Sequence, residues 1–253
     1  MRYWYKYLPK KVDRNTNNRF QFTNEQLIND NKIIKERFKF DNFKKYQISI
    51  KIYNFLKKKM KKSLTLFVGS SWGWVEFFLS KNFPLIASDV EEKYVNFHQN
   101  NKDLEYIKLD ILSSSSIKKI DKKFSQVVVN SIEYLFDKNQ MLICMKNLHL
   151  ITKDNADIFL VFRSRDSALM RIMDNWLLPL ENKIKTMIKN LKDKNWYFTK
   201  NHHGFRWSEN EFIEIIKENN FKIKYVYKDL YEAEYNKLKI IKILKLSKFL
   251  SII

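Results

Sequence analysis

Cysteine, glycine and proline are all scarce in this chain. One cysteine among 253 residues, Cys144, excludes an internal disulfide framework and a cysteine-only zinc site; no metal site is expected. No apolar run reaches the roughly 18 residues that a membrane-spanning helix requires. Met1 to Lys11 mixes charges with aromatics and has no apolar h-region, so no secretory signal is expected. A cytoplasmic location is the resulting expectation. There is no internal repeat and no linker rich in proline, glycine or serine. Of the three glycines, Gly69 and Gly73 fall within one five-residue stretch. A chain so sparing with glycine needs backbone freedom or the close approach of a ligand there.

Lysine is what the chain has in plenty, and the formal net charge is +20. Such a charge suits a polyanion, either nucleic acid or an anionic membrane surface. The lysines are nevertheless scattered along every segment, beside abundant asparagine and isoleucine, which is the pattern of compositional drift. An apolar fraction of 45% with 15% aromatics supplies one substantial core and leaves room for an appendage.

The apolar runs alternate between two periods. Between Asp41 and Lys62, the residues Phe43, Tyr46, Ile50, Tyr53 and Met60 share a helical face. Short apolar strands are predicted at 64–68, 84–88, 104–109, 124–129 and 156–162. Between them lie helices carrying Val75, Phe78 and Leu79, then 91–99, then 140–151, with Leu142, Met145, Leu148 and His149 on one side. His149 reads as a core histidine and Cys144 as a small core residue. The serine run 113–116 is a turn able to cap a helix. Strands alternating with helices give a doubly wound α/β fold, a Rossmann-like and mostly parallel sheet of about seven strands with helices on both faces. A sixth strand is predicted at 221–227, after a helix that Ser208 and Glu211 open with a capping box. Asn219 and Asn220 can close that helix in the left-handed conformation.

Ligands of such sheets bind at the carboxyl ends of the strands. Those ends carry Gly69, Asp89, Asp110 and Asn130-Ser131. The segment Leu66-Phe67-Val68-Gly69-Ser70-Ser71-Trp72-Gly73-Trp74 joins a strand to a helix. It lacks the Gly-Lys-Ser/Thr of a P-loop, and Trp74 stands where a dinucleotide fingerprint needs its third glycine. Gly69, Ser71 and Gly73 fall on the G-x-G-x-G positions of class I S-adenosylmethionine (SAM)-dependent methyltransferases, which the chain resembles over residues 41–228. Asp89, twenty residues after Gly69, stands where an acid accepts hydrogen bonds from both ribose hydroxyls. Leu109-Asp110-Ile111 resembles the family's adenine-binding segment, and 127–135 its fourth-strand segment. The resemblance implies SAM as cofactor, held by Val68, Gly69, Ser70, Ser71, Gly73, Asp89, Val90, Asp110, Ile111 and Asn130. Two positions depart from the family pattern. Phe67 replaces an acid that fixes the turn or the methionine amino group, and Ser71 replaces the middle glycine.

The acceptor is less sharply indicated. Asn130-Ser131-Ile132-Glu133 takes the place of the Asp/Asn-Pro-Pro-Tyr/Phe segment of methyltransferases that act on exocyclic amines of nucleic acids. A small-molecule or a lipid- or sugar-linked acceptor, methylated at oxygen, is the expectation. His203 and His202 are the candidate bases, with Glu133 as a further catalytic candidate. Arg163 and Arg165 are placed to meet an acidic acceptor. The domain reading is an extension over 1–62, a methyltransferase domain over 63–236 and a tail over 237–253. An acceptor cap rich in aromatics is expected over 164–207. The tail alternates lysines with apolar residues and reads as an amphipathic helix for peripheral contact with the inner face of a membrane. Two alternatives stand beside this reading: an RNA methyltransferase or RNA-binding protein, and a degenerate domain that works as an interaction module through its tail.

Overall fold

The computed structural model describes residues 36–99, 104–162 and 205–226, with a two-residue strand at Arg2–Tyr3 (β1). The chain divides into two compact units. The first, residues 13–132 and 139–162, holds a parallel sheet of five strands. These are Thr65–Val68 (β2), Leu85–Asp89 (β3), Glu105–Lys108 (β4), Phe124–Asn130 (β5) and Thr152–Val161 (β6), in the order β4-β3-β2-β5-β6. Every neighbouring pair is parallel, as crossover connections require.

Burial follows the order. β2 is buried at every residue and β3 at all but its last, whereas the edge strands β4 and β6 are largely half-exposed. A strand covered on both faces reads as a continuous apolar run, which is why β2, β3 and β5 were legible in sequence. β6 begins earlier than predicted. Its ladder shifts register between Phe124 and Gln126, and Asn155 within the shift is left-handed at φ 60°.

The helices of this unit are Phe40–Phe43 (α1), Gln47–Lys59 (α2), Trp74–Ser80 (α3), Glu92–Gln99 (α4), Ser114–Ile117 (α5) and Lys138–Ile151 (α6). The expected helical stretch 41–62 is thus broken at 44–46. Phe43, Tyr53, Leu56 and Met60 nevertheless reach the core, where they join Val75, Phe78 and Leu79. The Phe43 and Phe78 rings lie 4.5 Å apart. Residues assigned by sequence to an extension therefore build the core of the sheet unit. α5 begins as predicted, with the Ser113 side chain accepting a hydrogen bond from the Ser116 amide.

One core assignment is corrected. His149 is exposed, and the buried polar residue of α6 is Asn147. Its Nδ2 donates to the Ile111 carbonyl at 2.7 Å. Periodicity placed His149 near the apolar side, but a buried polar side chain needs a hydrogen-bond partner inside the protein, and Asn147 has one. Cys144 is buried as expected.

The second unit comprises residues 1–12, 133–138 and 163–253. Its described parts are β1, paired antiparallel with Phe205–Arg206 (β7), a 3₁₀ turn at Glu133–Leu135 and the helix Glu209–Glu218 (α7). Ser208 opens α7 with the predicted capping box, accepting from the Glu211 amide while the Glu211 side chain accepts from the Ser208 amide. Ser208→Ala should cost about 1 kcal/mol, the usual value of such a cap. Urea denaturation checks this, and an unchanged midpoint would remove the box from the stability of the unit. Asn220 closes the helix at φ 61°. The predicted sixth strand is not formed over 221–226, where Tyr225 and Val226 are 53% and 47% exposed. Among the described residues the parallel sheet accordingly has five strands, fewer than the about seven expected. Most of the cap 164–207 and the whole tail 237–253 lie outside the described residues, as do Arg163 and Arg165. Among the described residues no helix is long and apolar enough to cross a membrane.

Candidate functional site

The order of the sheet makes β2 the strand at which winding reverses, with β3 and β4 on one side and β5 and β6 on the other. Loops leaving neighbouring strands diverge at such a point and open a crevice at their carboxyl ends. The loop leaving β2 is residues 69–73. Its backbone is left-handed at Gly69 (φ 80°), Ser71 (φ 51°) and Gly73 (φ 66°). Glycine adopts this conformation freely, but a residue with a Cβ loses about 1–2 kcal/mol. Ser71 thus takes a backbone form usual for glycine and carries the strain. Ser131, just past β5, is left-handed as well, at φ 53°. Strain of this kind gathers at functional sites.

The protein's own packing opposes a side chain at Gly69 and, less severely, at Gly73. A Cβ on Gly69 would collide with Cγ2 of Ile132, and one on Gly73 would come within 3.0 Å of Leu104 Cδ2 and 3.2 Å of His98 Nε2. Of the two reasons that the sequence offered for glycine here, backbone freedom is met, and the close approach is that of Ile132.

Asp89, at the end of β3, reaches across to this loop. Its Oδ2 accepts from the Ser71 amide at 2.9 Å and its Oδ1 from the Glu91 amide at 3.1 Å. Burial raises its pKa, the two amides pull it back down, and the Glu91 charge raises it again. A carboxylate accepts about four hydrogen bonds, so these two leave it able to take two hydroxyls. Further side chains tie down the loop. The Tyr106 hydroxyl donates to the Ser71 carbonyl at 2.7 Å, and His98 Nε2 lies 3.0 Å from the Trp72 carbonyl, which fixes the tautomer with its proton on Nε2. Burial lowers the pKa of His98 and raises that of Tyr106. The two rings stack at 4.8 Å, and Trp72 packs edge-on against Tyr94 and Phe97.

The other predicted positions line the same sheet edge. Val68 and Ser70 are buried, while Val90 is 50% exposed. Asp110 follows β4; its Oδ1 accepts from the Leu112 amide at 3.0 Å, and its own amide donates to Ser116 Oγ at 3.1 Å. Ile111 is buried beside it. Asn130 ends β5, and its Oδ1 accepts from Ser131 Oγ at 3.4 Å.

Sequence reasoning missed Glu76. It lies in α3 between Val75 and Phe77 and is 1% exposed. Desolvation by burial raises its pKa to about 7. The Ser70 and Asn130 side chains only partly offset this, and the Asp89 charge adds to it. No hydrogen bond is formed at Oε1, nor at the buried hydroxyl of Ser70. The one sequence signal was a single acid inside an otherwise apolar run, Trp74 to Leu79.

Of the proposed catalytic residues, Glu133 belongs to the second unit. It is buried, and its carbonyl accepts from Trp207 Nε1 at 3.1 Å. His202 and His203 lie outside the described residues. No cluster of metal-ligating side chains occurs among the described residues.

No protein-family model matches the chain, and no curated protein matches it. Solved structures do resemble it at low identity. The PH0226 protein of Pyrococcus horikoshii is 14% identical, with a TM-score of 0.49, over 72% of this chain and 83% of that one. A SAM-dependent methyltransferase from Thermotoga maritima is 15% identical, with a TM-score of 0.48, over 75% and 80%. A TehB-like SAM-dependent methyltransferase from Corynebacterium glutamicum is 11% identical, with a TM-score of 0.44, over 66% and 70%.

Proposed function

We propose that this chain is a SAM-dependent methyltransferase that binds its cofactor along the carboxyl edge of β3, β2 and β5. The observation that carries the reading is the pairing of Asp89 with the Ser71 amide at the switch point of the sheet. It fixes the loop and leaves carboxylate lone pairs for two ribose hydroxyls.

The residues present fit this cofactor better than they fit a phosphate-bearing one. The Ser71 amide, a donor that a phosphate would need, is committed to Asp89. Asp89 sets a carboxylate against the loop, where a phosphate would meet like charge. Asp89 would hold the ribose, Val90 with the Asp110-Ile111 segment the adenine edge, and Ser70 with Asn130 the amino-acid end. When bound, the cofactor supplies an electrophilic methyl group on a sulfonium.

The chain's part in transfer is to orient the acceptor and take up its proton. We assign the proton to His203 or His202, histidine being the side chain whose unperturbed pKa suits that role near neutrality, with Glu133 as the alternative. The acceptor class is an oxygen on a small molecule or on a lipid- or sugar-linked molecule. Support for it is the residues 130–133, which lack the Asp/Asn-Pro-Pro-Tyr/Phe segment. The basic tail 237–253 would serve a lipid-linked acceptor by holding the protein at an anionic surface.

Calorimetric titration with SAM tests the cofactor assignment, and absence of heat or thermal shift at millimolar ligand would end it. Asp89→Ala should weaken binding by about 1–3 kcal/mol through lost charged hydrogen bonds. An unchanged affinity would remove Asp89 from the ribose site.

A further inference from the structure

A carboxyl group buried in apolar surroundings costs several kcal/mol when it ionises unless an opposite charge compensates. Glu76 is in that position. Its helix neighbours Val75, Phe77, Phe78 and Leu79 are all buried, and Oε1 has no hydrogen bond. The charged groups that face it do not compensate. Asp89, from β3, is a like charge that raises the Glu76 pKa, and Tyr106, from β4, is itself pushed up by Glu76. The remaining polar neighbours, Ser70 and Asn130, do not titrate.

The topology says which part of a ligand meets this group. β3 and β5 flank β2 on opposite sides. A ligand with its ribose on Asp89, at the end of β3, crosses the loop after β2 and brings its far end to the end of β5. There, Ser70 and Asn130 attend Glu76. In SAM the part beyond the ribose carries a sulfonium and an α-ammonium, both cationic. The family's own acid is missing, because Phe67 stands there and is wholly buried in the apolar cluster.

We propose that Glu76 is the counter-charge for the cationic end of SAM, a role supplied from the helix after the loop instead of from β2. The proposal rests on the methyltransferase reading. Direct contact is not required, since an opposite charge within about 4–6 Å already favours the ionised carboxyl. On binding, the O–H bond of Glu76 breaks, its electron pair stays on the carboxylate and the proton passes to the buffer.

The test is calorimetry at about pH 6.5, where the α-amino group of SAM is protonated, in two buffers of different ionisation enthalpy. Binding of SAM should release about half a proton, as expected when a group titrating near pH 7 comes to titrate at least about one pH unit lower. The uncharged thioether 5′-methylthioadenosine, which keeps the adenosine and lacks both cations, should release none. In Glu76→Gln the release should vanish and SAM should bind about threefold more weakly at this pH. Affinity for the thioether should stay within about twofold, because that ligand carries no charge to compensate. Equal proton release by both ligands, or release unchanged in the variant, overturns the proposal and leaves the methyltransferase reading standing. Failure of the native chain to bind either ligand overturns both. The proton count on the native chain decides the matter even if the variant does not fold.

Discussion

Between pH 4.5 and 7 the folded chain should lose up to about 3 kcal/mol of stability through Glu76, and Glu76→Gln should abolish that component. The sign follows from linkage. The folded pKa is raised from 4.5 to about 7, so in this window the folded state holds a proton that the unfolded state has released. Stability therefore falls as pH rises through the window and levels off above it. Raising a pKa by one corresponds to about 1.4 kcal/mol. Urea denaturation of both proteins across pH checks this, with the difference between the two curves as the readout. A difference that stays flat from pH 4 to 8 would show that Glu76 ionises as freely in the folded state as in the unfolded one.

Gly69→Ala should destabilise the sheet unit by about 2–5 kcal/mol. Two causes add. The left-handed backbone at φ 80° costs a residue with a Cβ about 1–2 kcal/mol, and overpacking against a neighbouring side chain costs about 1–3 kcal/mol. The obstructing atom is Cγ2 of Ile132, which sits on a stiff β-branched carbon and cannot swing aside like the end of a long side chain. The two causes are separable. Ile132→Ala in the Gly69→Ala background should recover the collision and leave the backbone cost. A Gly69→Ala chain with unchanged denaturation would mean that the loop can adopt another path.

The sequence reading succeeded where one physical cause dominates a segment. β2, β3 and β5 are enclosed on both faces, so their apolar runs were unambiguous. Asp89 ends β3 as expected, because a short strand and its loops fix the distance from one strand end to the next. Reading failed where local pattern competes with tertiary circumstance. His149 and Asn147 lie two residues apart, on roughly opposite sides of α6, and the buried one, Asn147, is the one that tertiary packing brings to the Ile111 carbonyl. Residues 221–226 carry a weak alternation that no buried face uses. Glu76 was overlooked because a lone acid in a helix is ordinarily solvated, and nothing local reveals that α3 is enclosed almost all round. Ser71 illustrates the reverse case. It is not a glycine, yet the backbone there is left-handed like that of Gly69 and Gly73 on either side.

Asp89, Tyr106 and His98 hold the backbone of the loop at Ser71 and Trp72 through three hydrogen bonds. These anchors come from β3, β4 and α4, elements formed when the sheet folds. The ordering entropy of the loop is therefore spent at folding and not at the encounter with a ligand. Changes at Tyr106 or His98, neither among the residues assigned to ligand contact, should register in affinity through a loosened loop, so that here a loss of rigidity would be read as a loss of binding.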